Sequence, residues 1–173
     1  EFYGDYGGFD VSLTFPNQYI VEATGKLQNT SEVYPGDLRE RIDIKNYKTQ
    51  RSNYTQPVKA DGSTKTWKFH AENVHDFAFT ADPTYRIGET VWNGVRCIAL
   101  VQEEHAHKWQ QSSKFLAKVI EVYSTDIGMY AYPKIIAADA RDGMEYPMIT
   151  FNGPRPTLNE KTGEKTYSRK TKY

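Results

Sequence analysis

Strict alternation of apolar and polar residues predicts β-strands in the first half of the chain. Residues 9–15 (FDVSLTF) and 64–71 (TKTWKFHA) both have the period of a strand with one buried face. Residues 19–24 and 77–81 are shorter apolar segments that we also predict to be strands. Because only a short Pro-Asn break follows the first strand, we expect the first two to form a hairpin or to lie side by side in antiparallel orientation.

Between these strands, residues 28–63 are polar and contain many Gly, Pro, Asn, Ser and Asp residues. This composition predicts a long surface excursion, in which Ile42–Ile44 could form a short strand. Further on, Asp82–Pro83 predicts a turn, and we place a domain boundary near residue 88, which divides the chain into residues 1–88 and 89–173.

The second half combines apolar strands with one helix. Residues 95–101 (VRCIALV) form an apolar run, and residues 135–138 and 148–151 are two further short strands. Three- and four-residue spacing predicts an amphipathic helix from His107 to Asp126 with a C-terminal cap at Gly128. Its periodic positions are Trp109, Ser112, Phe115, Leu116, Val119, Ile120 and Tyr123.

These elements predict an α+β fold that is mostly β, in which an antiparallel β-sandwich part is followed by a mixed sheet and a helix. The residues from 153 onward are polar and rich in Lys and Arg, and we expect a mobile loop or frayed end there.

Composition narrows the classes of partner. The 173 residues contain 22 basic and 22 acidic side chains, which argues against a nucleic-acid protein held by bulk charge. No apolar run approaches the roughly 20 residues that span a bilayer.

The chain begins at Glu1, so we expect an excised piece, and the compartment of its parent stays open. Cys97 is the only cysteine and lies in an apolar strand, which predicts a buried, unreactive thiol.

Three clusters of polar residues could carry chemistry, and each has a simpler explanation. Glu103, Glu104, His105 and His107 are the best local metal candidate, but they lack the i, i+4 His pair of helical zinc motifs, and we favour solvated polar residues at a strand end.

Residues 70–76 (HAENVHD) place two His and two acids together, with His70 and Glu72 on one strand face. No nucleophile accompanies them, and we expect Asp76 to bond turn amides instead. The glycine-rich segment with Asp5 and Asp10 lacks the ligand spacing of a calcium loop. Nucleophile-elbow, phosphate-loop and dinucleotide motifs are absent from the sequence.

The strongest candidate site is the segment Gly143, Met144, Glu145 and Tyr146, which precedes an apolar strand. A glycine lets a ligand approach the backbone, and a single carboxylate at a strand edge can bind an ammonium group. These residues predict a substrate-binding clamp for a positively charged group, while a surface Glu on a turn remains the simpler alternative.

Residues 71–78, 121–133 and 142–146 resemble three segments of the gluzincin aminopeptidases, the thermolysin-like zinc peptidase family that includes leukotriene-A4 hydrolase. Residues 71–78 (AENVHDFA) resemble the family's A-x-N-V-x-D-F-A segment, and residues 121–133 (EVYSTDIGMYAYP) resemble its E-x-Y-S-x-x-x-G-x-Y-x-Y-P segment. Residues 142–146 (DGMEY) correspond to the exopeptidase motif G-x-M-E-N. The blocks keep the family's order and spacing, and the resemblance covers residues 64–151, with a weaker similarity at residues 4–25.

The resemblance implies a fold and a role. Residues 1–88 would be the C-terminal part of an N-terminal β domain, and residues 89–173 would begin a thermolysin-like catalytic domain. Glu145 would bind the free amino terminus of a peptide substrate, and Gly143 and Met144 would line that subsite. Two positions depart from the family: Asp142 replaces its first Gly and Tyr146 its Asn.

The zinc motif H-E-x-x-H is absent from the sequence. We therefore expect zinc only in the parent protein, with no catalytic or metal-binding residue in this chain, which would need the remainder of the catalytic domain as its partner. The alternative is a non-catalytic β-sandwich module whose 13 Tyr and 3 Trp residues bind a carbohydrate or a protein.

Overall fold

A computed structural model describes residues 4–50, 55–140, 143–153, 156–159, 161–163 and 165–167. The strands are β1 (Gly7–Pro16), β2 (Ile20–Ala23), β3 (Lys26–Leu27), β4 (Thr64–Val74), β5 (Phe79–Asp82), β6 (Tyr85–Trp92), β7 (Val95–Gln102), β8 (Lys134–Asp139), β9 (Met144–Tyr146), β10 (Ile149–Asn152), β11 (Pro156–Leu158) and β12 (Lys165–Tyr167). The α-helices are α1 (Thr30–Val33), α2 (Leu38–Arg41) and α3 (Ser112–Asp126), and 3-10 helices lie at Ile44–Asn46 and Glu103–Lys108.

The predicted fold class is confirmed, because strands dominate and the helices are few. The described strands form a three-stranded antiparallel sheet in the order β1-β4-β3, a β2-β5 pair, a β11-β12 pair and a five-stranded mixed sheet in the order β6-β7-β8-β10-β9. In the mixed sheet, β7, β8 and β10 are parallel to one another, and β6 and β9 are antiparallel to their neighbours.

The strands predicted at residues 9–15 and 19–24 exist, but their predicted mutual pairing is wrong. β1 pairs with β4, from Gly7 opposite Val74 to Pro16 opposite Thr64, and β2 pairs with β5. The reason is burial. All four residues of β2 are buried, and Ile20 packs into one core cluster while Val21 and Ala23 pack into another. β1 has one exposed and one half-buried face, and it matches the alternation of β4.

The segment after residue 28 is not the surface excursion that its polar composition predicted. Val33, Leu38, Ile42 and Ile44 are buried, and they anchor two short helices and a 3-10 turn against the sheets. The strand predicted at residues 42–44 is also wrong, because among the described residues this segment makes a single parallel bridge, from Asp43 to Ile87. The few apolar residues spaced along this polar segment therefore indicated that it packs against the sheets.

Positions 83 and 84 form the predicted turn, where Asp82 Oδ1 accepts hydrogen bonds from the backbone N–H and the hydroxyl of Thr84, each at 2.6 Å. β6 starts directly after this turn and belongs to the mixed sheet. The change of sheet therefore occurs at the turn, and residue 88 lies inside β6. The division of the chain into two domains remains a prediction.

The predicted helix is present, but it begins at Ser112 instead of His107. The intervening residues form the 3-10 helix, and the Gln110 amide holds the connection by donating to the backbone oxygens of Ile44, Tyr47 and Ala106. At the other end, the Gly128 N–H donates to Tyr123 O, but Gly128 does not adopt the left-handed conformation of a glycine cap.

The face that α3 buries is also unexpected. Its buried residues are mostly small, namely Ser113, Ala117, Ile120 and Ser124, and the helix packs over β6, β7 and β8. Phe115, Val119 and Val122, which lie at helical spacing on the opposite face, are between 40% and 51% exposed. Small residues face the sheet because α3 lies close to β6 at Gly88. A Cβ at Gly88 would lie 3.7 Å from the Ser113 hydroxyl and 2.9 Å from an Ile44 methyl group.

The residues after 153 are not wholly irregular, because β11 and β12 pair in antiparallel orientation. The basic residues Arg155, Arg169, Lys170 and Lys172 lie outside the described residues.

Cys97 is fully buried beneath α3, and burial raises the pKa of its thiol to about 11, with a smaller contribution from the Glu89 carboxylate. At pH 8 we expect the native thiol to react with a disulfide reagent about 100-fold more slowly than the urea-unfolded chain, because the thiolate is the reacting species. Absorbance of the released thiolate measures both rates. Equal rates would show that Cys97 is accessible and that α3 does not cover it.

Candidate functional site

Three residues of the predicted site, Met144, Glu145 and Tyr146, form β9 at one edge of the mixed sheet, and Gly143 directly precedes this strand. Met144, Glu145 and Tyr146 pair with Phe151, Thr150 and Ile149 of β10, and in the described part of the chain no strand pairs with the other edge of β9. Asp142, at the family's first glycine position, lies outside the described residues. The structure therefore places the candidate residues on an exposed strand edge.

Glu145 points away from the core that its neighbours contact. The Tyr146 ring packs edge to face on Phe151, with the ring centroids 5.5 Å apart, and both rings border the central core cluster. Glu145 is exposed on the opposite face, in a row with Thr150 and Ala137, which is the face that α3 covers over the preceding strands. Among the described residues, no hydrogen bond or ion pair involves the Glu145 carboxylate.

The turn between β9 and β10 is fastened to the first half of the molecule. The Thr24 hydroxyl donates to Pro147 O at 2.9 Å and accepts from the Ala78 N–H at 3.2 Å. Met148 adopts φ +64°, which is uncommon for a residue with a side chain, and its side chain is buried beside Ala71 and Val74. The backbone that carries Glu145 is thus anchored at its turn by both packing and hydrogen bonding.

Gly143 precedes β9 and is exposed. Among the described residues, and apart from its chain neighbours, no atom lies within 4 Å of a Cβ built at this position, and its φ is not in the left-handed region. Neither packing nor backbone strain therefore requires a glycine in this chain. The open space beside Gly143 suits the close approach of a ligand backbone.

The structure separates the cluster at residues 103–107 into three environments. Glu103 is buried and pairs with Arg86, whereas His105 Nδ1 lies 2.7 Å from Asp139 Oδ2. Burial lowers the pKa of His107. Within the described ranges, no group of three or more His, Cys, Asp or Glu side chains is arranged to hold a metal ion.

The other polar clusters also make local contacts. His70 Nδ1 lies 2.7 Å from Asp10 Oδ1, and His70 Nε2 lies 3.3 Å from Glu72 Oε1, so His70 and Glu72 share a strand face as predicted. Hydrogen bonds to the two carboxylates raise the pKa of His70. Asp76 Oδ1 accepts from the Phe77 N–H at 2.7 Å, which matches the predicted turn-amide bond.

An open cleft of about 880 Å³ lies between α2, β6 and the start of α3. Its lining mixes acidic and basic side chains, of which Arg39 pairs with Glu89 and Lys45 pairs with Asp43. None of its lining residues belongs to β9 or β10, so the cleft is separate from the predicted site.

Two buried ion pairs were not anticipated from the sequence. Arg86 with Glu103 and Lys134 with Glu22 are almost completely removed from solvent. Their signal was a single charge inside an apolar strand, as at Glu22 in YIVEA and at Lys134 in PKII. Such a charge needs a partner in the fold.

No family model matches the chain, and no curated protein sequence matches it. The resemblance to the gluzincin aminopeptidases therefore rests on the motifs in residues 64–151 and remains a prediction. In the described part of the chain, none of the helices has the length and apolar character needed to cross a membrane.

Proposed function

We propose that this chain is part of a zinc-dependent aminopeptidase and that β9 receives the amino-terminal residue of a peptide substrate. The observation that carries the proposal is the exposed Glu145 carboxylate on an edge strand, with no partner among the described residues. An ammonium group can form a charge-assisted hydrogen bond with such a carboxylate. The backbone of β9 offers the outer edge on which an extended peptide can add as a further strand.

The anchored turn supports the same role. A carboxylate selects a free amino terminus only if its position relative to the peptide backbone is fixed. Thr24 and the buried Met148 hold the end of the β9–β10 hairpin, so Glu145 is carried by a rigid strand. Gly143 leaves room beside the first residue of that strand.

The described residues do not fit zinc, because they bring together no set of metal ligands. The role that we propose for this chain is therefore confined to substrate binding, and the zinc and its ligands belong to the remainder of the catalytic domain. The exposed row of Phe115, Val119 and Val122 on α3 supports such a partner, since an apolar helix face of this kind is commonly an interface.

The binding-module alternative has less support from the structure. Trp67, Phe69 and Tyr85 are buried, and Phe9, Phe15 and Phe77 pack against buried clusters. Part of the aromatic content that suggested a binding surface is thus used in packing, although Tyr6 and Tyr123 are exposed. We therefore keep the peptidase as the proposed function.

The proposal is tested on the parent protein with the substitution Glu145→Gln. We expect kcat/KM for an aminoacyl-arylamide to fall about 10- to 100-fold, because a hydrogen bond to a charged group contributes roughly 1.5–3 kcal/mol. The zinc content should stay unchanged, since Glu145 is not a metal ligand in the proposal. Glu121→Gln, at a partly exposed carboxylate on α3, is the matched control and should keep full activity.

A second measurement uses this chain alone. Amide NMR signals of β9 should shift when a short peptide with a free amino terminus is added, and the N-acetylated twin of that peptide should shift them much less. A parent protein with neither zinc nor activity would refute the proposal, as would unchanged kinetics in the Glu145→Gln variant.

A further inference from the structure

β1 is a long edge strand with little to prevent the addition of another strand. It comes first in the order β1-β4-β3, and in the described residues its outer edge has no partner. Protected edges are usually short, interrupted by proline or bulges, or marked by charges, especially Lys. In β1 the proline is the last residue, the irregular register is confined to Gly7–Phe9, and Asp10 is the single charged residue. His70 lies against Asp10 in the same sheet.

The two faces of β1 are sharply different. Phe9, Val11, Leu13 and Phe15 are half-buried on one face. Phe15 contacts the rings of Tyr19 and Phe79, and Phe79 is itself 46% exposed. The apolar row therefore continues to the sheet edge and is only partly covered by the chain's own residues.

The sequence of β1 is complementary to itself in antiparallel orientation. If two copies pair about a two-fold axis at Ser12, Phe9 lies opposite Phe15 and Val11 lies opposite Leu13, so the apolar rows join on one face. On the other face Asp10 lies opposite Thr14, and Ser12 lies opposite Ser12. No two like charges face each other, and a shift of one residue would break the match of the faces.

We propose that β1 binds β1 of a second copy of this chain, which forms a continuous six-stranded antiparallel sheet across a two-fold axis. The pairing satisfies the outward backbone groups of both edge strands and covers the margins of both apolar rows. It uses neither β9 nor α3, so the experiment that tests it does not depend on Glu145 or on zinc.

The substitution Ser12→Glu tests this register. In a single chain, residue 12 lies opposite Lys68 of β4, so the new carboxylate gains a favourable partner and the fold is preserved. In the dimer, two carboxylates meet at the axis, and the dissociation constant should rise about tenfold or more. Light scattering after size exclusion, over a series of concentrations, should show twice the mass of one chain for the unaltered protein and a shift toward one chain for the variant.

A charge-reversed partner and a control complete the design. Ser12→Lys places its ammonium group opposite Lys68, so its fold is first checked by circular dichroism. This variant should also weaken the dimer, and an equimolar mixture of the Glu and Lys variants should restore it, because opposite charges then meet at the axis. Val122→Glu adds the same charge to the exposed row of α3 and should leave the mass unchanged. The proposal is overturned if the unaltered chain stays monomeric or if the mixture of variants does not reassociate. It is also overturned if Val122→Glu abolishes the dimer and Ser12→Glu does not.

Discussion

Replacing Arg86 with Met is expected to lower the free energy of unfolding by about 3–5 kcal/mol. Arg86 is fully buried, and its guanidinium donates to Glu103, to the backbone oxygens of Thr84 and Tyr85, and to Thr55. The Tyr47 ring lies 4.4 Å from the centre of the guanidinium. Removing the cation leaves the buried carboxylate of Glu103 without its opposite charge, and among the described residues Thr55 keeps only its hydrogen bonds to Glu103.

Urea unfolding followed by circular dichroism measures this loss. The matched control is Arg39→Met, which removes an arginine whose pair with Glu89 is partly exposed, and this substitution should cost no more than about 1 kcal/mol. A second variant, Arg86→Met with Glu103→Leu, should recover part of the loss because no charge then remains buried. Equal effects of Arg86→Met and Arg39→Met would refute the role of burial.

The second large effect is expected for Lys134→Met, at about 3–5 kcal/mol of unfolding free energy. Lys134 Nζ lies 3.0 Å from Glu22 Oε2, and the side chains are 4% and 7% exposed. The ammonium group also lies 5.3 Å from the centre of the Phe69 ring. These residues belong to β8, β2 and β4, so the pair links the mixed sheet to the two smaller groups of strands.

Lys118→Met is a close control, because Lys118 lies at the same 3.0 Å distance from Glu121 while both side chains are well exposed. We expect it to change stability by less than about 1 kcal/mol. The double variant Glu22→Gln with Lys134→Met should be more stable than Lys134→Met alone, which a double-mutant comparison of urea midpoints detects. A loss at Lys134 as small as that at Lys118 would contradict the predicted linkage of the sheets.

The sequence predicted individual strands better than their partners. β1 and β4 follow from strict alternation, because a sheet with one buried face needs that period. The pairing of β1 with β4 could not be derived from that period, because β2 follows β1 directly in the sequence and could equally have been its partner. What decides it is that β2 is buried on both faces between two cores, and a short apolar segment shows no sign of this in its own sequence.

Helix α3 shows a second limit. The helix itself was predicted, but Phe115, Val119 and Tyr123, which stand at its predicted periodic positions, are exposed. The helix packs through Ser113, Ala117 and Ser124, together with Ile120. Small residues permit a close approach to the sheet above Gly88, and periodicity counts only the large residues. Phe115, Val119 and Val122 are left exposed on the opposite face of α3.

For the candidate site, the sequence placed Glu145 beside an apolar strand, and the structure adds the exposed edge of β9 and the anchored turn. The contact between Thr24 and Pro147 joins residues that are far apart in the chain, so no local pattern could reveal it. The position of the carboxylate was therefore predictable, but the support that holds it was not.

The pairing of β1 with β4 also has a consequence for biosynthesis. Residues 17–63 are synthesised before β4, so β1 leaves the ribosome before the strand with which it pairs. Closing a connection of this length costs more entropy than closing a short hairpin, so we expect β1 and β4 to pair later in folding than strands that are adjacent in sequence. During this interval the apolar row of β1 is accessible to chaperones and to other nascent chains. We therefore expect aggregation to compete with folding at this stage, before the native state forms.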